Sequence, residues 1–322
     1  TIFHVAATTS IEASLRVVDR WQPDVVHLHA FWLWPMAFAI REHSGVPLVC
    51  HVHSLDRAEY EIGQGPPECL SQWNVQADAI RAADRVIAIS RSERELIGQY
   101  CPEARDRIRV VGNGIDDCAT ARRAAARRAS RSTSAAPPLV LFAGRFVERK
   151  GVRELIAAIP QVLTARPDTL FVLAGGQRLC SGGEMARWWL PERFEHRDRV
   201  HFTGWLTVEQ LADWYAAADV LVVPSWYEPF GMVVLEGMLH GLAIVAADVG
   251  GPAEILEDER TGLLCPPRNA GALGEAILRV LADPGLAIRL GAAAAAEVRR
   301  HWLWPAAVER LRHVYRQAVR SA

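Results

Sequence analysis

Short apolar runs alternate with stretches of helical spacing along almost the whole chain. Runs at 24–29, 47–53, 85–89 and 107–111 read as buried strands, and 11–20, 34–42, 77–83 and 92–100 carry the 3.6-residue spacing of helices. Residues 1–6 are a further strand candidate. Ser90 or Ser92 stands where a helix N-cap is expected. A second series follows, with strands at 139–142, 170–174, 200–202, 220–223, 243–246 and 262–265. Its helices fall at 153–166, 209–217, 270–282 and 286–300, with a helix start at 252–256. The chain closes on a helical stretch, 301–322, broken near Pro305. Strands alternating with helices imply parallel sheets covered on both faces.

Residues 119–138 interrupt this alternation. They are poor in large apolar side chains, contain Arg122, Arg123, Arg127, Arg128 and Arg131, and end in Pro137-Pro138. They read as a connection with some disordered length, whose arginines are either solvated or available to an anionic surface. The expected organisation is therefore a first domain over 1–117, a linker over 118–138, a second domain over 139–300, and a helix over 301–322 that packs back on the first. Two doubly wound sheets place a ligand cleft outside the carboxyl ends of their strands.

One stretch gathers more chemistry than the others. The run Val220–Val223 is followed by Pro224-Ser225-Trp226-Tyr227-Glu228-Pro229-Phe230-Gly231, and then by Met232, Val233, Val234, Leu235 and Glu236 at helical spacing. The order is strand, tight loop, helix N-terminus, with Glu228 before the helix and Glu236 inside it. A helix N-terminus offers unpaired amides and a positive partial charge, which suits a phosphate or sugar oxygen. Gly231 would let a ligand approach the backbone. The plain alternative is a surface loop with two solvated glutamates. Upstream, Gly144-Arg145-Phe146 follows a strand and Lys150-Gly151 precedes a helix, so a guanidinium and an ammonium stand together beside a helix start.

These residues resemble the retaining nucleotide-sugar glycosyltransferases of family 4, whose fold is GT-B: two Rossmann-like doubly wound α/β domains facing across a cleft. The resemblance is carried by Glu228-Pro229-Phe230-Gly231 with Glu236, and by Gly144-Arg145 with Lys150-Gly151. It implies that Arg145 and Lys150 hold the donor diphosphate, that Glu236 takes the ribose hydroxyls, and that Glu228 lies near the donor sugar. Gly175, Gly204, Phe230, Gly231, Met232 and Val233 fall on the family's donor-binding positions. Asn113-Gly114-Ile115-Asp116 matches its interdomain turn, and Gly250-Gly251-Pro252-Ala253-Glu254 matches further turns and caps. His53-Ser54-Leu55-Asp56-Arg57 resembles the branch with the mycothiol-type and sucrose-phosphate-type synthases and assigns His53 to the donor sugar. Glu59 or Tyr60 then stands where a basic residue is common. The family opens with a strand and a glycine-rich loop that Thr1 enters after, so the chain is expected to be incomplete at its amino terminus.

Composition narrows the classes. Half of the 322 residues are hydrophobic, 23% are charged, and the formal net charge is −1, which gives no basic footprint for nucleic acid. No apolar run reaches the ~20 residues of a membrane span. The six cysteines show no C-x-x-C spacing and read as reduced thiols, so a cytoplasmic enzyme is expected. Lys150 is the one lysine among 36 basic side chains, which marks its position as one that wants an ammonium. No G-x-G-x-x-G follows a strand, which argues against a dinucleotide oxidoreductase.

The expected activity is retaining, metal-independent transfer of a sugar from a nucleoside-diphosphate sugar, UDP-linked ahead of GDP-linked, to a small-molecule or glycan acceptor. A noncatalytic or truncated GT-B subunit is the alternative. No cofactor and no metal are expected: with no D-x-D, Arg145, Lys150 and a helix dipole would stabilise the departing diphosphate. His51 and His53 share one face of a strand. They could begin a metal site, but the sequence shows no third ligand, and loop-capping histidines are the other reading. Trp32 and Trp34 are candidates for stacking on an acceptor or for core packing.

Overall fold

A computed structural model describes residues 11–62, 68–129, 137–177 and 180–320. The strand expected over 1–6 lies outside them. The chain divides into two compact units, one of residues 1–113 with 305–322, the other of residues 114–304.

The first unit runs α1 (Ile11–Trp21), β1 (Val26–Leu28), α2 (Trp34–Ser44), β2 (Leu48–Val52), α3 (Asp56–Glu61), α4 (Glu68–Ala82), β3 (Arg85–Ala88), α5 (Arg91–Tyr100) and β4 (Ile108–Val110). The four strands form one parallel sheet in the order β1-β2-β3-β4. β2 is buried along its whole length, as a strand covered on both faces must be. Ser90, rather than Ser92, caps α5, its hydroxyl accepting from the Glu93 amide at 3.1 Å. α3 was not anticipated, and α4 begins nine residues before the stretch that had helical spacing. Its mixed composition leaves only a weak amphipathic pattern.

The second unit runs α6 (Ala119–Ala129), β5 (Leu139–Gly144), α7 (Val152–Ala165), β6 (Leu170–Gly175), α8 (Gly182–Trp189), β7 (Val200–Gly204), α9 (Val208–Ala217), β8 (Val220–Val223), α10 (Met232–Leu239), β9 (Ala243–Ala247), α11 (Gly250–Ile255), β10 (Leu263–Cys265), α12 (Ala270–Ala282) and α13 (Pro284–His301). Its six parallel strands are ordered β10-β9-β8-β5-β6-β7. The order reverses between β5 and β8, the topological switch point at which doubly wound sheets bind ligands. One core cluster includes Val140, Phe142, Leu155, Ile159, Phe171, Val222, Val245 and Ile277. α8 went unread in the sequence. It is set by a capping box in which Ser181 Oγ accepts from the Glu184 amide and the Glu184 carboxylate accepts from the Ser181 amide.

The final helix, α14 (Trp304–Val319), lies from Pro305 onward in the first unit. There Val314 and Ala318 pack against Val49, Ile87 and Val111. No helix among the described residues is long and apolar enough to cross a membrane.

The expected linker is the main departure. The division of the chain falls after Asn113, and 119–129 is helix α6 within the second unit; residues 130–136 lie outside the described residues. Alanine and arginine are both strong helix formers, so this composition costs a helix nothing. Ala121 and Ala124 are buried. Arg128 donates to the carbonyls of Tyr215 (2.7 Å), Ala216 (2.8 Å) and His240 (3.2 Å), the last turn of α9 and the end of α10. A guanidinium there meets the negative end of two helix dipoles and fills carbonyls that have no helical partner. Replacing Arg128 with alanine is therefore expected to cost about 1–3 kcal/mol in urea unfolding, whereas Arg123→Ala, on the exposed side of α6, should change stability by less than about 0.5 kcal/mol. Equal effects of the two would refute the clamp.

Candidate active site

The loops that leave β5 and β8 meet at the switch point. After β5 the chain makes a short turn, Glu148–Lys150, and Gly151 follows in the left-handed region at φ 70°. A Cβ at Gly151 would lie 1.9 Å from the Pro224 carbonyl oxygen, so only glycine allows the two loops to touch. The Trp226 amide donates to the Arg149 carbonyl at 2.7 Å, and the buried Arg149 guanidinium donates to the Tyr227 carbonyl at 3.2 Å. Arg149 went unnoticed in the sequence, where its neighbours Arg145 and Lys150 drew the attention. Nothing local distinguishes a buried arginine from a surface one.

This clamp brings Lys150 Nζ into an ion pair with Glu228, the carboxylate of the Glu-Pro-Phe-Gly turn. Glu228 is 7% exposed, and Ser225 Oγ donates to the same carboxylate oxygen at 3.3 Å. A carboxylate this far from water needs a countercharge, and Lys150 supplies it. The Glu228 carbonyl accepts from the Gly251 amide at 2.8 Å. Cβ atoms at Gly250 and Gly251 would lie 2.3 Å from the Glu228 carbonyl oxygen and 1.9 Å from that of Phe230. The Gly250-Gly251 pair, read from sequence as turns and caps, thus holds the underside of the acidic loop.

Gly231 ends the loop at φ 94° and is the N-cap of α10. Met232 and Val233 form the first turn and are half-buried, and first-turn amides have no intrahelical acceptor. Phe230 is 4% exposed and packs against Trp302, with ring centroids 5.6 Å apart. Its side chain shapes the loop from below, so only its backbone is offered to a ligand. Arg145 is exposed directly after β5 and makes no hydrogen bond or ion pair with a described residue. Gly175 and Gly204 end β6 and β7, and the Thr203 hydroxyl links these strand ends.

Glu236 sits on α10 and is half-buried. The Tyr215 hydroxyl donates to Glu236 Oε2 at 2.6 Å. Tyr215 is 2% exposed and stacks on His240, whose Nδ1 lies 2.8 Å from the Glu236 carbonyl oxygen. Burial raises the Glu236 carboxyl above its ordinary pKa, and the Tyr215 hydrogen bond offsets part of that rise. The tyrosine thus fixes one oxygen of the carboxylate. Tyr215 lies 21 residues before its partner, on a different helix, so no spacing rule could connect them.

In the first unit, the ends of β1 and β2 gather His27, His29, His51 and His53. Their rings stack at centroid distances of 5.3 Å (His27–His51) and 4.2 Å (His51–His53), and His29 is tilted against His27 and His51 at 4.0 and 5.0 Å. Burial, then the neighbouring imidazoles, lower all three of His27 (about 3), His51 and His53 (about 4), so these rings are neutral at physiological pH. The third ligand absent from the sequence pattern comes from another strand: β1 pairs with β2 in parallel register and brings His27 opposite Val49, two residues short of His51. Trp32 is 63% exposed and is not core; Trp34 is half-buried at the start of α2.

Comparison with known proteins gives the family. Residues 6–117 match the family described as Glycosyltransferase Family 4, and residues 137–283 match Glycosyl transferases group 1. A glycogen synthase of Mycobacterium tuberculosis is 31% identical over 320 residues, covering 97% of this chain and 74% of that protein. A D-inositol 3-phosphate glycosyltransferase of Xylanimonas cellulosilytica is 35% identical over 310 residues, covering 92% and 72%. The solved sucrose-phosphate synthase of Thermosynechococcus elongatus superposes with a TM-score of 0.80 at 30% identity, covering 97% of this chain and 78% of that one. The switch-point loops, the acidic turn with its in-helix glutamate and these likenesses lead to one conclusion: the chain is a glycosyltransferase and belongs to family 4, with the GT-B fold.

Proposed function

We propose that the enzyme transfers a sugar, with retention at the anomeric carbon and without a metal ion, from a nucleoside-diphosphate sugar to a hydroxyl acceptor. The observation that carries this reading is the meeting of Lys150, Glu228 and the first turn of α10 at the switch point of the six-stranded sheet. An ammonium has three N–H donors, so Lys150 can keep Glu228 and still donate to a phosphate oxygen. Arg145, exposed beside it, supplies a second cation, and the α10 amides add hydrogen bonds without a net charge. Together these groups favour the negative charge that grows on the diphosphate as the anomeric C–O bond breaks. The acceptor oxygen bonds to that carbon on the face the diphosphate leaves, and its hydroxyl proton passes to the departing phosphate oxygen. Glu236 takes the ribose hydroxyls with the oxygen Tyr215 does not hold. Gly175, Gly204, Met232 and Val233 line the donor site through their backbone. Glu228 is assigned to positioning the sugar and His53 to contacting it. The donor is placed as a UDP-sugar ahead of a GDP-sugar, and the acceptor as a small molecule or glycan in the cytoplasm.

Two measurements test this. Lys150→Ala should weaken UDP binding, measured by calorimetry, by roughly a hundredfold, the worth of two lost charge-assisted hydrogen bonds. Lys150→Arg should recover little of it, because a planar guanidinium cannot reproduce the geometry of the ammonium. Affinity equal to the parent in folded Lys150→Ala protein would overturn the diphosphate assignment.

Glu236 gives a pH-dependent test. Its pKa is raised, so as pH falls from neutral it gains its proton earlier than an ordinary glutamate and ceases to be a strong acceptor. UDP affinity should therefore decline on mild acidification. Tyr215→Phe removes the bond that holds the pKa down and should move that decline to higher pH, with about three- to tenfold weaker binding at neutral pH. Glu236→Gln should abolish the decline. A pH profile unchanged by both substitutions would remove Glu236 from the ribose site.

A further inference from the structure

We propose that the histidines at the carboxyl ends of β1 and β2 form a binding site for one late first-row divalent ion, zinc in the first instance, with His27, His29 and His51 as ligands. One ring nitrogen from each of the three can be chosen so that all lie within 4.8 Å of one another. Metal–nitrogen bonds of about 2.0–2.1 Å place tetrahedral ligand atoms about 3.4 Å apart, so the three nitrogens would close by up to about 1.4 Å on binding an ion.

The second observation is the state of the nitrogens. His51 is 9% exposed, and neither of its ring nitrogens has a hydrogen-bond partner; His27 Nε2 is buried and partnerless as well. A buried polar atom without a partner is costly, and one imidazole carrying two is rare. A metal ion would take up one ring lone pair from each histidine, on His51 and His27 one that the surrounding protein leaves unused.

The outer contacts fit the same role. His27 Nδ1 lies 2.7 Å from the Tyr315 hydroxyl, and His29 Nδ1 lies 3.0 Å from His53 Nε2. Bonds of this kind to the second ring nitrogen orient metal-ligating histidines. Three imidazoles with no carboxylate select zinc, nickel or copper and disfavour magnesium and calcium, which require oxygen ligands. Three protein ligands leave a coordination position open, and His29 is exposed to solvent. The site lies wholly in the first unit and is independent of the diphosphate reading, which stands whether or not a metal binds.

The test uses the full chain without an affinity tag, stripped of metal and titrated with Zn2+ by calorimetry and with Co2+ by visible absorption. The expected result is one saturable Zn2+ per chain and the intense visible bands of four-coordinate Co2+. His51→Ala and His29→Ala should each weaken Zn2+ binding tenfold or more, while the surface variant His201→Ala should leave it unchanged. His51 is part of a strand and its variant can fail to fold, so the exposed His29→Ala is the deciding one. Absence of saturable binding, or binding at parent affinity in folded His29→Ala protein, would overturn the proposal and identify any bound zinc as adventitious.

Discussion

A single buried charge pair governs the second unit. Glu228 is held away from water at the switch point, where an isolated carboxylate would be heavily penalised, and Lys150 is the group that makes its burial tolerable. The requirement propagates outward. To place the ammonium there, the loop after β5 must come into contact with the loop after β8, which only Gly151 permits. To keep that contact, the Arg149 guanidinium must be buried between them and bonded to the Tyr227 carbonyl. To support the acidic turn from the other side, α11 must begin with Gly250-Gly251 pressed against the carbonyls of Glu228 and Phe230. Lys150 is therefore a cation fixed in place by the fold before any ligand arrives.

The second carboxylate follows a different logic. Glu236 has no cation beside it. It is stabilised by the Tyr215 hydroxyl, and Tyr215 is held by its stacking on His240 and by the Arg128 guanidinium at its carbonyl. One helix outside the strand-and-helix alternation, α6, therefore secures the end of α9 that carries Tyr215 and the end of α10 that follows Glu236. Two acidic groups eight residues apart are thus placed by opposite means: one paired with a charge, one neutral-bonded and raised in pKa.

What the sequence made legible was local. Strand runs such as Val220–Val223 were apparent because buried parallel strands must be apolar throughout. The Pro229 and Gly231 turn, the α10 start and the lone Lys150 were apparent because each is a rule about one position. The family resemblance then placed Glu228, Glu236, Arg145 and Lys150 in one functional context, and the structure brings the Glu228 and Lys150 pair together. Partners supplied by distant elements stayed invisible. Tyr215, Arg149 and Arg128 carry no signal of their own, since their value lies in carbonyls and carboxylates reached only after folding. The alanine- and arginine-rich stretch was misread for a related reason: few large apolar residues suggest a linker, yet a helix packed through alanines needs few.

The histidine array shows the same limit from the opposite direction. In the sequence, His27 and His29 belong to one strand and His51 and His53 to another, and each pair alone is an ordinary strand end. Parallel pairing of β1 with β2 converts two ordinary pairs into a cluster of four. Close packing of imidazoles is unfavourable if any two are charged, so burial keeps the rings neutral and their lone pairs available. A strand needing only to fill the core would be served better by valine or isoleucine, which leave no unsatisfied nitrogen. The retained cost at His51 is what gives the array its significance, because a fold tolerates unpaired buried nitrogens where something else completes them.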